Sequence, residues 1–410
     1  MTRRGLRVSI VLFPAMIVAA AGSLGACSSQ SGDPRSDGLT DRDGSQAPDL
    51  GTRPGRDAAG PDTTGDGSLS DADAAGNPDG SEVRDAGPDG VGNPPPVDTG
   101  PPLDCTAVGS AGEPIHLGCT GLYASWPDRA IADSARFFAP AFTAWSDGAE
   151  KSRYIYLPPG QKIDTSNMDE WRFPVGTKIW KEFRLNGRRV ETRLLWKNSG
   201  SDWYRTTYVW SQDQTSAIEN TAGVSNIWGT GYDVVPQSDC TLCHGGHLDG
   251  VLGFEAIGLS NPGASGFEMT ALVNEQRVTN PPSSSFTLPG DATARAALGS
   301  LHANCGNACH SNSNYALARD SGLFMRLRAN ALSSVTATET YKTAVNVPSR
   351  FQGPGGGFYR IKSRDVAHSS IPYRDSYRDT GGERIQMPPL GTHVVDSNAL
   401  EAVNAWINAL

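Results

Sequence analysis

Two alternating runs meet at Asn186-Gly187. Lys178-Ile-Trp-Lys-Glu-Phe-Arg-Leu185 leads in, and Arg188-Arg-Val-Glu-Thr-Arg-Leu-Leu-Trp196 leads out. A two-residue hairpin turn needs positive φ at both positions, which asparagine and glycine tolerate, so this junction dictates a pair of antiparallel strands. Arg153-Tyr-Ile-Tyr-Leu157, closed by Pro158-Pro159-Gly160, and the run from Trp203 to Trp210 read as further strands. Trp126, Trp145, Trp171, Trp180, Trp196, Trp203, Trp210 and Trp228 all fall between residues 105 and 237, out of nine tryptophans in the chain. Aromatics at that density read as core and cross-strand partners. Residues 105–237 are therefore expected to form an antiparallel β-sandwich-like domain.

The stretch before it cannot pack in the same way. Residues 28–104 consist mainly of Asp, Gly, Pro, Ser and Thr, with 16 acidic and 5 basic side chains. Such a segment buries too little apolar surface to offset its ordering entropy, so residues 27–104 read as a disordered tether. The net charge of −9 is concentrated there. The body that remains is close to neutral and carries no basic footprint for nucleic acid. At the start, Arg3, Arg4 and Arg7 precede a short apolar run from Val8 to Gly22. A basic start and an apolar run too short to cross a bilayer make residues 1–26 a secretory signal. Leu24-Gly-Ala-Cys27 resembles the lipobox of bacterial lipoproteins, which implies cleavage before Cys27 and lipidation of it. Several acyl chains on one cysteine anchor a protein stably to a membrane. Ser28, in place of a retaining aspartate, points to the outer membrane, facing the periplasm or the cell surface.

The chain has seven cysteines. Cys240-Thr-Leu-Cys243-His244 matches the haem c attachment pattern. Two thiols one turn apart can meet the two vinyl groups of a porphyrin, and the histidine that follows lies under the iron as a ligand. Cys305-Gly-Asn-Ala-Cys309-His310 has the same order with one more residue between the thiols, and reads as a second attachment site. Met387-Pro388-Pro389 sits before the last helical segment; two prolines stiffen that loop, so that Met387 can hold its thioether against the second iron. For the first iron, Met269, His247 and His302 stay open as distal ligands, as does an empty position. Met168 belongs to the strand-rich part and is set aside. In an oxidising compartment Cys105 and Cys119 are free to form a disulfide.

From residue 238 the composition changes again. Ala292 to Asn304 is alanine-rich and runs into Cys305. Asp396/Ser397 caps a segment with Leu400, Val403, Ile407 and Leu410 on one helical face. Residues 238–410 are expected to be a mainly α, cytochrome c-like haem region, and the whole chain an α+β multidomain protein.

Further stretches carry a family resemblance: Ala144-Trp-Ser-Asp-Gly-Ala-Glu-Lys151, Phe173-Pro-Val-Gly-Thr177, Val190-Glu-Thr-Arg-Leu194, Thr207-Tyr-Val-Trp210, Gln237-Ser-Asp-Cys240, Leu301-His-Ala-Asn-Cys305, Met387-Pro-Pro and Ala405-Trp-Ile407. In this order, over residues 140–410, the chain resembles a family of bacterial dihaem c-type cytochrome lipoproteins. The resemblance implies a β domain fused to a cytochrome c region, with His244 and His310 as proximal ligands and Met387 as a distal one. The added residue between Cys305 and Cys309 departs from the two intervening residues more usual in that family.

Three functions follow as expectations. The first is a lipid-anchored electron carrier with haem c at one or both motifs, exchanging single electrons with redox partner proteins. The second is a haem oxidoreductase, of peroxidase or oxidase kind, with one open iron. The third is a haem-free, disulfide-stapled binding lipoprotein. Nothing in the sequence supports hydrolase chemistry: the chain has no Gly-x-Ser-x-Gly elbow and no His-Glu-x-x-His, and Gly353–Gly357 lacks the Lys-Ser/Thr ending of a phosphate loop.

Overall fold

The computed structural model describes residues 103–126, 128–379 and 384–410. The expected signal segment 1–26, the lipid-bearing Cys27 and all but the last two residues of the tether lie outside them. The described residues belong to one compact unit.

The hairpin at Asn186-Gly187 forms, with φ of 48° and 75° at the two turn residues. It joins β5 (Lys178–Leu185) to β6 (Arg188–Lys197). A bulge between Phe183 and Arg184 shifts their register by one residue. The sheet extends in both directions through β3 (Arg136–Ala139), β4 (Glu150–Tyr156), β7 (Trp203–Trp210) and β8 (Ala217–Glu219), each antiparallel to the next in sequence. The seventh strand, β9 (Ser265–Gly266), comes from beyond the first cysteine motif and pairs with β3 through Phe138 and Gly266. A separate two-stranded sheet consists of β1 (Tyr123–Ser125) and β2 (Ala130–Ile131).

Both faces of the large sheet are covered, but not by a second large sheet. On one face Trp180, Leu194, Tyr208 and Trp210 pack against Leu117, Leu122 and Tyr123. The buried indoles of Trp180 and Trp210 each donate to a threonine hydroxyl, Thr120 and Thr192, at 3.0 Å. On the other face Phe138, Ile155, Ile179, Leu195 and Trp203 pack against Val251, Phe254, Leu259 and Leu272 of the segment after the first motif. The sandwich-like expectation is therefore corrected: loops and short helices complete the core over one seven-stranded sheet.

The mainly α expectation for residues 238–410 is also overturned. Helix accounts for 24% of residues 103–410. Among the described residues beyond 238 only two α-helices exceed seven residues: α4 (Ala292–Leu301) and α7 (Ser397–Ala409). Their aspartate caps are present, Asp291 accepting from the Ala294 amide and Asp396 from the Ala399 amide. The two helices bury Ala297, Leu298 and Leu301 against Val403, Trp406 and Ile407. The rest are short, from five to seven residues: α1 (Cys240–His244), α2 (Ala256–Ser260), α3 (Met269–Asn274), α5 (Glu339–Ala344) and α6 (Ser370–Ser376). Proline and glycine recur between them, and neither sustains a helix interior. Among the described residues no helix is long and apolar enough to cross a membrane.

Candidate functional site

The chain enters the first motif by a tight turn, Gln237–Asp239, whose Gln237 side chain donates to the Arg205 carbonyl of β7 at 2.8 Å. Helix α1 is one turn long and consists of the motif itself. His244 Nδ1 lies 2.6 Å from the Gly250 carbonyl. A carbonyl only accepts, so Nδ1 carries the proton and Nε2 keeps its lone pair. Burial pushes His244 down to about 3, which holds the imidazole neutral. A neutral ring oriented by a backbone carbonyl through one nitrogen is the form in which histidine binds iron through the other. Cys240, Cys243 and His244 share the wall of a cavity of about 140 Å³ with Lys181, Arg193 and Arg205. Burial raises both thiols above their ordinary value, and Arg193 is the foremost neighbour opposing that.

The second motif follows α4 through a widened turn. The Asn307 amide donates to the His302 carbonyl at 2.9 Å and the His310 amide to the Cys305 carbonyl at 2.8 Å, each across five residues. A widened turn of this kind absorbs one additional residue without ending the helical path. The longer spacing is thus taken up locally, and Cys305, Cys309 and His310 face one cavity of about 290 Å³. Met387 lines the same cavity. Its loop is held by the Met387 amide donating to the Arg374 carbonyl at 3.0 Å, and by Gln386, whose side-chain amide donates to the carbonyls of Pro388 and Thr392 at 3.0 and 2.8 Å. Burial pushes His310 down to about 4. Among the described residues its Nδ1 is buried without a hydrogen-bond partner.

The two cavities adjoin, with Trp145, Asn304 and Pro388 lining both. The motif loops touch: a Cβ on Gly246 would come within 2.0 Å of the Ala308 carbonyl oxygen. Burial, with the nearby Cys243 next in weight, pushes the Cys309 thiol up to about 11.

The three residues left open as distal ligands of the first site lie elsewhere. Met269, 5% exposed, is packed into the sheet's apolar core, and Met168 lies against the same cluster. His247 is buried 3.9 Å from Glu170, which is itself paired with Arg326. His302 Nδ1 accepts from the Leu327 amide at 2.9 Å, and its Nε2 faces Glu255 at 3.4 Å. Both of its ring nitrogens are therefore used within the protein. Cys105 and Cys119 are disulfide-bonded.

Lys181 was missed in the sequence. Alternation along β5 puts it on one face, but a plain hairpin register would set it opposite Thr192. The bulge at Phe183/Arg184 sets it opposite Arg193 instead, with Arg153 on its other side. Burial, together with Arg153, Lys151 and Arg193, holds its amine well below the ordinary lysine range.

At each cavity two thiols and an imidazole share one wall, the donor composition of a haem c attachment site, and at the larger cavity a thioether joins them. Among the described residues no group of three or more His, Cys, Asp or Glu is placed to hold a bare metal ion. No protein-family model, curated protein or solved structure matches the chain.

Proposed function

We propose that the chain is an exported, lipid-anchored c-type cytochrome that carries single electrons, with haem c attached at Cys240/Cys243 and at Cys305/Cys309. The observation that carries this reading is His244: a half-buried, neutral imidazole whose Nδ1–H is spent on the Gly250 carbonyl, beside two free thiols on one cavity wall. A zinc site would need further ligands at that wall, whereas a haem needs one nitrogen from this turn.

Haem c, when bound, supplies a one-electron couple at its iron. His244 and His310 would hold the irons, the four cysteines would form the thioether links, and Met387 would face the iron of the second site, where a thioether favours the reduced state. The common wall of Trp145, Asn304 and Pro388 keeps the two sites close, and electron tunnelling weakens steeply with distance. The acidic tether and the acyl chains on Cys27 would leave the folded body free to meet redox partners near the outer membrane.

A haem enzyme with an open iron is the second reading. It is favoured by one observation, that none of Met269, His247 and His302 lines the cavity at Cys240.

The test is a pyridine haemochrome titration with intact mass, on the full chain made in a host that attaches haem c. Two haems per chain are expected. One would reduce Cys305 and Cys309 to a structural pair, and none would overturn the cytochrome reading in favour of a disulfide-stapled binding protein. Recovery of the chain in the membrane fraction, and its release by Cys27→Ser, tests the anchor.

A further inference from the structure

Three cations stand in a row across neighbouring strands. Arg153 of β4 is directly opposite Lys181 of β5, and Lys181 is directly opposite Arg193 of β6. Like charges set opposite one another on a sheet face destabilise it. Arg193 is neutralised by a bidentate pairing with Glu191, at 2.9 and 2.6 Å. Lys181 has no such relief: among the described residues its Nζ makes no ion pair or hydrogen bond, and its nearest aromatic face is Phe183 at 5.1 Å. It nevertheless lines the cavity that holds Cys240, Cys243 and His244.

We propose that Nζ of Lys181 is the sixth ligand of the haem iron bound by His244. The inference rests on the attachment reading above and names the ligand that reading leaves open. It follows from what else the wall offers. Among the described residues the wall contains no methionine and no second histidine. Arg193 and Arg205 keep their protons and have no lone pair to give. The Trp145 indole donates to the Val394 carbonyl at 2.8 Å, and the Asn304 amide is spent on the Trp145 amide and the Ser300 carbonyl. Asp239 precedes Cys240 on the very turn that carries the motif. Lys181 comes from a separate element and has a free amine. Coordination takes place through the lone pair of the amine, so the ammonium proton passes to solvent as the Nζ–iron bond forms. That loss removes the middle charge of the row, which gives an unpaired lysine at this position a physical reason.

The test uses the full chain with both haems, the second serving as an internal reference. Haem count is read by pyridine haemochrome, and spin state by the ferric visible spectrum and electron paramagnetic resonance. The parent is expected to hold two low-spin haems. Lys181→Ala is expected to keep both haems while one turns high-spin and gains azide binding, and added ethylamine should restore the low-spin form. Lys181→Met, with an apolar side chain of similar reach, should stay low-spin with a raised potential at one haem. A high-spin haem at the first site of the parent would overturn the assignment in favour of an open iron. A Lys181→Ala chain with both haems still low-spin and only a shifted potential would overturn it in favour of a lysine paired with a haem propionate. A parent without haem at Cys240 would overturn it along with the attachment reading, and the haem count tells that failure from the other two.

Discussion

Gly246 lies directly against the carbonyl of Ala308, so close that a Cβ on the glycine would sit 2.0 Å from the oxygen. This contact joins the loop after the first cysteine pair to the interior of the second motif. Both sides are backbone, so neither can yield by turning a side chain. Gly246→Ala must therefore separate the two loops, and overpacking of this kind costs about 1–3 kcal/mol. The expected result is a lower urea midpoint with an unchanged slope. In the haem-loaded protein the same variant should weaken magnetic coupling between the two irons. An alanine variant as stable as the parent would show that the loops are not in contact.

Lys197 and Asp249 form the most deeply buried ion pair between the sheet and the segment that follows the first motif. Their side chains are 4% and 7% exposed, and Lys197 Nζ reaches both carboxylate oxygens, at 2.9 and 2.8 Å. Asp249 also accepts from the Phe173 amide at 2.7 Å. Asp249→Ala leaves a buried ammonium and a buried amide without partners, a loss of about 3–5 kcal/mol. Asp249→Asn keeps the amide bond and should fall between the two. Replacing both residues together, Lys197→Met with Asp249→Leu, should recover part of the loss, because no charge is then stranded. Chemical denaturation of the three variants measures each step.

Asp375 lines the larger cavity, and burial pushes its carboxyl up to about 6 from an ordinary 3.8, with Arg378 acting against the rise. The folded state thus holds this proton more tightly than the unfolded chain. The stabilisation is complete below 3.8 and is lost as the pH rises through about 6. Asp375→Asn should remove that slope. The check is the difference in unfolding free energy between parent and variant at several pH values across this window. A difference that does not change with pH would place the carboxyl in solvent.

The parts of the fold that were legible in the sequence are those with a local cause. Asn186-Gly187 accepts positive φ at two successive residues, so the hairpin is present where the turn chemistry requires it. Asp291 and Asp396 cap the two longer helices for the same kind of reason. Features that depend on tertiary contact left no local signal. The two-residue strand Ser265–Gly266 has no alternation to read, yet it closes one edge of the sheet. The expected sandwich and α region failed because residues beyond 238 cover the sheet with loops and short helices, a covering that has no periodicity. Lys181 was hidden by the bulge that sets its cross-strand partner, and the extra residue before Cys309 looked like a defect until the widened turn accounted for it. The cysteine motifs could be read only as spacings; that each sets its thiols and its histidine on one cavity wall depends on tertiary contact.

Met387 provides the last prediction. It shares a cavity with Cys305, Cys309 and His310, and its position is fixed from both sides: its own amide is bound to Arg374, and Gln386 bridges Pro388 to Thr392. A thioether stabilises reduced iron relative to oxidised iron, so Met387→Ala should lower the reduction potential of one haem and leave the other unchanged. Met387→His should stay low-spin, with a potential lower than the parent's, because imidazole is the stronger donor to oxidised iron. Gln386→Ala should act in the same direction as Met387→Ala but less strongly, since it loosens the loop and leaves the thioether in place. Potentiometric titration of the three variants distinguishes a ligand from a residue that only packs. If Met387 merely fills the cavity, Met387→Ala and Met387→Leu will differ in stability and share the parent's potentials.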